Sequence, residues 1–87
     1  MEEIKRLFKD CVKSSGAKIS KCCDEITEMI DDNGNLIEGT KLSISISNSK
    51  IYDDGVILQW CKDNGYRCMV SGTARTTTYS IFIVRGC

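Results

Sequence analysis

The chain contains no histidine. That removes the commonest general base, the usual activator of a nucleophile and the commonest nitrogen ligand for metals. A cysteine protease of the usual kind is excluded on this ground alone. No apolar run is long enough to cross a membrane. Met1 to Asp10 is densely charged and no hydrophobic stretch follows it, unlike a secretory leader. A cytoplasmic location and no membrane partner are therefore expected. Formal net charge is zero, whereas dedicated nucleic-acid binders are normally basic overall, so no direct DNA binding is expected. A phosphate loop and a dinucleotide fingerprint are also missing, Gly34 and Gly39 standing alone. No cofactor is expected. Without a recognisable catalytic constellation, the chain does not read as an enzyme.

The 87 residues suffice for one small domain, and six of them are cysteines. Cys22 and Cys23 are adjacent, so no CxxC redox or zinc motif exists. Cys11, Cys22, Cys23 and Cys61 fall on the apolar stripes of predicted helices, where cysteine acts as a small hydrophobe in a reducing compartment. Cys87 is expected to be exposed. Cys11, Cys22, Cys23, Cys61 and Cys68 match no zinc spacing, and no metal site is expected. Asp31, Asn33 and Asn35 imitate the start of a calcium loop. Leu36 stands where its glycine belongs and Leu42 where its last acid belongs, so the segment reads as a turn.

The stretch from Asp53 to Val84 organises the chain. Residues 53–64 read as an amphipathic helix with acids in the first turn, and Gly65 follows as a stop. Tyr66 to Val70 and Thr76 to Val84 alternate with period two, as strands of a hairpin. Upstream, Lys41 to Ser47 alternates strictly, with Leu42, Ile44 and Ile46 expected to face the helices.

At the N-terminus, Ile4, Leu7, Phe8, Cys11 and Val12 form one helical face. Ile19, Cys22, Cys23, Ile26, Met29 and Ile30 have the same spacing and predict a second helix. The two stripes are offset by eleven residues, so an unbroken helix would keep them in line over roughly 45 Å. A break at Ser14-Ser15-Gly16 into two helices is favoured over that continuous form. The expected fold is α+β in a single domain, 1–87. A helical part, 1–31, holds two helices or one long kinked helix. A β-α-β-β part, 40–85, forms a three-stranded, mostly antiparallel sheet with helices on one face.

Three surfaces are candidates for function. Residues 24–38 carry six acids and no base. Asp24, Glu28, Asp31, Asp32 and Glu38 are the candidate partner-binding residues, able to engage a basic groove on another protein. The alternative is a small-ligand or nucleotide site in the hairpin, where Arg67 and Arg75 with the hydroxyls of Thr76 and Thr78 match phosphate oxygens. Met69, Phe82 and Val84 give the hairpin a second apolar face and are the candidate contact of a homo-oligomer.

The helix with Asn64-Gly65-Tyr66, the short strand and the ending Thr78-Tyr79-Ser80-Ile81-Phe82-Ile83 resembles a pattern in small accessory proteins of bacteriophages. The resemblance covers the last third of the chain. It implies an inhibitor or anti-defence protein, of which anti-CRISPR proteins are one kind, acting on a host protein in the host cytoplasm. The expected function is non-enzymatic binding that blocks a host macromolecule, one that processes nucleic acid or serves in defence, through the acidic surface. The alternative is an oligomeric ligand-binding module built on the Arg/Thr-rich hairpin.

Overall fold

A computed structural model describes residues 2–49 and 51–84. Cys87 lies outside the described residues. Helix α1 spans Glu2–Ser14, with Glu2 and Glu3 in its first turn and Lys13 in its last, as its dipole favours. It ends at Ser15-Gly16, where Gly16 takes a φ of 93° and its amide donates to the Lys13 carbonyl. Strand β1 follows at Ile19–Ile30, then a turn, then strand β2 at Leu36–Ser47. Helix α2 is Asp54–Asp63, strand β3 Cys68–Gly72 and strand β4 Thr76–Val84.

The four strands form one antiparallel sheet in the order β1-β2-β4-β3. The chain is α+β, but its element order is α-β-β-α-β-β, with four strands instead of the expected three. The expected second helix is a strand. It also rules out one long helix, and it removes the helical character assigned to the C-terminal half of residues 1–31. The physical reason lies in the turn. Asp31 accepts hydrogen bonds at Oδ1 from the amides of Asn33 and Asn35, at 2.9 and 2.8 Å, and Gly34 takes a φ of 82°. This Asx-type turn reverses the chain. The segment 21–30 then pairs without a break with residues 36–45, Ile30 facing Leu36 and Cys22 facing Ile44, and after an irregularity at Ser20 the ladder resumes with Ile19 facing Ile46. The ladder pairs the inward half of its backbone groups with β2 and leaves the outward half to solvent.

The same pairing extends the expected strand Lys41–Ser47 back to Leu36. Its alternation is as read: Leu42, Ile44 and Ile46 are buried toward the helices, while Ser43, Ser45 and Ser47 turn away. Tyr79 and Ile81 of β4 lie on the same side, opposite Ile44 and Leu42. These pack with Phe8 and Val12 of α1 and Ile57 and Cys61 of α2 into one core. Each fully buried aliphatic side chain there contributes on the order of 1.5–3 kcal/mol. Trp60 stacks on Phe8 with ring centroids 5.4 Å apart, and Tyr52 closes the core by its hydroxyl contact with Tyr79 at 2.6 Å.

Both helices lie on one face, and they do not cover all of it. Twelve-residue strands at about 3.3 Å per residue reach about 40 Å, which matches the molecule's 39 Å long axis. Helix α1, at 1.5 Å per residue, is about 20 Å long. It runs back along β1 only as far as Asp24, where Lys5 Nζ meets Oδ1 at 3.1 Å. Beyond that point β1, the turn and the start of β2 continue as an arm.

Candidate functional site

The arm has two sides with different chemistry. On the side that the helices share, the register sets Asp24 opposite Leu42, Ile26 opposite Thr40, Glu28 opposite Glu38 and Ile30 opposite Leu36. Directly paired residues point to the same face of a sheet, so this side reads as alternating acidic and apolar rungs. Past α1 no element among the described residues lies over them. Ile26, Ile30 and Leu36 remain 64%, 68% and 66% exposed. Three large aliphatic side chains so exposed on one strip are what a monomeric surface ordinarily avoids.

The other side of the arm curls over the end of the sheet. Met29, Ile37 and Phe82 line a hollow of about 210 Å³ with Ile30, Asp31 and Gly65, and Arg67 Nη2 bridges it to Asp32 Oδ1 at 3.3 Å. Phe82 is half-buried there, its ring lying over Gly39. Both partners of the Asp32–Arg67 pair are well exposed, so the pair orients the turn and adds little stability.

The five acids singled out from the sequence thus come together on one arm in different roles. Asp24 pairs with Lys5, and the hydrogen bond and charge of Asp24 raise the lysine's pKa. Asp31 builds the turn and Asp32 meets Arg67. Glu28 and Glu38 face each other across the ladder on the exposed strip. A sixth acid, Glu25, lies on the opposite side and reaches Lys41 at 3.8 Å.

The residues of the alternative ligand site are spread out. Arg67 precedes β3 and Arg75 precedes β4, which puts them at opposite ends of that hairpin. Thr76 and Thr78 sit opposite Ser47 and Ser45 on the helix-free face. There Ser45 Oγ and Thr78 Oγ1 are 2.9 Å apart, as are Ser43 Oγ and Ser80 Oγ. Asn48 holds the loop beside Arg75 by accepting from Thr77 Oγ1 at 2.7 Å and donating to the carbonyls of Thr73 and Ala74. Met69 and Val84, 39% and 41% exposed, share the helix-free face with Phe82.

A cleft of about 660 Å³ between the helices is lined by Cys11, Asp53, Val56, Gln59, Trp60 and Asp63. Its polar groups are already used by the fold. Asp53 caps α2 by accepting from the Gly55 amide, Asp63 accepts from Gln59 Nε2, and the Cys11 thiol donates to the Val56 carbonyl. Burial raises the Cys11 pKa, which keeps it a thiol. At the seam of α2 and β3 the interaction with Cys68 pushes the Cys61 thiol up, and the interaction with Cys61 pushes Cys68 down. Cys61 is fully buried, whereas Cys68 is half-buried. Among the described residues no three of Cys, Asp and Glu converge as metal ligands. Nor is any helix among them long and apolar enough to cross a membrane.

Sequence reasoning found the acids of the arm and missed its apolar rungs, because Ile26 and Ile30 fitted a buried helical stripe. The signal was the Asp31-Asp32-Asn33-Gly34-Asn35 run, which is hairpin chemistry when both flanks are rich in β-branched residues. No protein-family model, curated protein or solved structure matches the chain.

Proposed function

We propose that the protein is a non-enzymatic binding module that lays its β1–β2 arm into a basic, partly apolar groove of another macromolecule and blocks it. A phage-encoded inhibitor acting on a host protein that handles nucleic acid is the setting implied by the resemblance of the C-terminal third. The observation that carries the reading is the exposed strip on the arm, with Glu28 and Glu38 set between Ile26 on one side and Ile30 and Leu36 on the other. Apolar rungs supply the buried area that an interface needs, and the acids between them steer it toward a cationic partner. The binding residues are accordingly Ile26, Glu28, Ile30, Leu36 and Glu38, with Asp24, Asp31 and Asp32 shaping the arm.

The test is capture from bacterial lysate by tagged protein, comparing the wild type with Glu28→Lys/Glu38→Lys, with Ile30→Asp/Leu36→Asp, and with Ser43→Ala on the helix-free face as control. The expected result is a partner retained by the wild type and the control and lost by both arm variants. A partner held equally by all four proteins would overturn the assignment of the arm.

A further inference from the structure

The two edges of the sheet are unequal. Strand β3 offers five residues, whereas β1 offers twelve, and among the described residues no strand pairs with the outer side of β1. Alternate backbone amides and carbonyls along that side point outward, the arrangement that recruits another strand. The side chains along β1 say which strand fits.

We infer that β1 pairs antiparallel with β1 of a second copy, about a two-fold axis at Cys23, to form a continuous eight-stranded sheet. A two-fold axis perpendicular to the sheet keeps the helices of both copies on the same side, and each residue then opposes one of its own face. Centred on Cys23, this register sets Lys21 of each copy opposite Glu25 of the other. It sets Cys22 opposite Asp24 and leaves no like charges facing. Centring on Asp24 or Glu25 would face two identical carboxylates. Centring on Ile26 would oppose Asp24 to Glu28. Centring on Cys22 or Thr27 gives Lys21 no acid of the strand. The complementary register is therefore singled out by charge alone.

Local geometry agrees. Lys21, Cys23 and Glu25 pair with Ser45, Ser43 and Lys41, all on the helix-free face, so no helix stands between the copies there. Cys23 is exposed. Glu25 already reaches Lys41 at 3.8 Å and remains 67% exposed, which leaves its carboxylate open to a second cation from across the axis. Ile26 of the strip proposed for partner binding falls inside this paired span, opposite Ser20, whereas Glu28, Ile30, Leu36 and Glu38 lie beyond it, so failure of the contact would leave that proposal untouched.

The experiment uses charge exchange between two variants. Lys21→Glu and Glu25→Lys each place like charges opposite each other at two sites of the two-fold contact, and each alone should weaken self-association about tenfold or more. Mixed in equal amounts, a K21E chain and an E25K chain recover both opposite-charge pairs, and light scattering across a concentration series should show the dimer return. In parallel, diamide oxidation of the reduced wild type at dimer-forming concentration should give a Cys23–Cys23 linked dimer, assigned by peptide mass. This second arm needs no variant and stands if a variant folds poorly. A wild type that stays monomeric at every concentration would overturn the inference. A dimer unaffected by K21E and E25K, and linked through no Cys23 pair, would overturn it equally and point to the Met69, Phe82 and Val84 face.

Discussion

The ring of Phe82 lies over the backbone of Gly39, so that a β carbon added there would come within 2.6 Å of Phe82 Cζ. Gly39 pairs with Val84 on the neighbouring strand, one step from the pair of Lys41 with Phe82. A glycine inside a strand gives up propensity, and here the ring takes the place of the missing side chain. Gly39→Ala should therefore destabilise the fold by about 1–3 kcal/mol, as overpacking does. Urea unfolding measures this directly. Gly39→Ala in a Phe82→Leu background should recover only part of that cost, because the Ile83 carbonyl oxygen, which lies closer than the ring, stays in the way.

Core and arm should answer differently to the same substitution. Ile44 is 1% exposed and Ile30 is 68% exposed, although both are isoleucines on the helix side of one hairpin. Ile44→Ala should cost about 2–5 kcal/mol. Ile30→Ala should stay within about 0.5 kcal/mol, as surface changes do. A large loss at Ile30 in denaturant unfolding would mean that the arm is packed against something within the chain.

Stability should fall above pH 10 in a manner tied to one hydroxyl. Burial first, and then the hydrogen bond with Tyr52, hold the Tyr79 phenol above its ordinary value of 10.0. Below that value the folded and unfolded chains both keep the proton, and this group adds no pH dependence. Above it the unfolded chain releases the proton while the folded chain retains it, so stability drops as pH rises. Thermal melts from pH 8 to 11 should show a shallower decline for Tyr79→Phe than for the wild type. Near neutrality the variant should lose about 1 kcal/mol with the Tyr52 contact.

The start of α2 depends on Asp53, whose Oδ1 accepts from the Gly55 amide at 3.0 Å while its backbone stays extended. Asp53→Ala should cost about 0.5–2 kcal/mol. Asp53→Asn keeps the acceptor and should recover most of that. Equal melting temperatures for the two variants would show that the charge, and not the cap, stabilises this end.

Several elements were legible from local chemistry. Asp53 and Asp54 announce α2 and Gly65, at a φ of 75°, ends it. The strict alternation from Leu42 to Ile46 places three buried residues correctly, and Thr76 to Val84 is the strand its β-branched residues predict. The stripe from Ile4 to Val12 is a helix and buries Phe8, Cys11 and Val12 as its spacing requires.

Residues 19–30 were not legible, and the reason is physical. Ile19, Cys22, Cys23, Ile26, Met29 and Ile30 satisfy a helical period, but as a strand they divide between two faces, Cys22, Ile26 and Ile30 on one and Cys23 and Met29 on the other. Periodicity assumes one buried side. Here β1 is an edge whose far half leaves Ile26 and Ile30 exposed on one side and Met29 half-buried beside Ile37 and Phe82 on the other, so its apolar residues do not report a single core. By itself the sequence determined the polar turns, the two helices that exist, the strands of the central core and the concentration of acid between Asp24 and Glu38. Only the tertiary structure decided that this acidic segment is a hairpin, because its backbone pairs with residues whose partnership no local pattern encodes. The same pairing carried Ile26, Ile30 and Leu36 beyond the reach of a 13-residue helix and left them exposed.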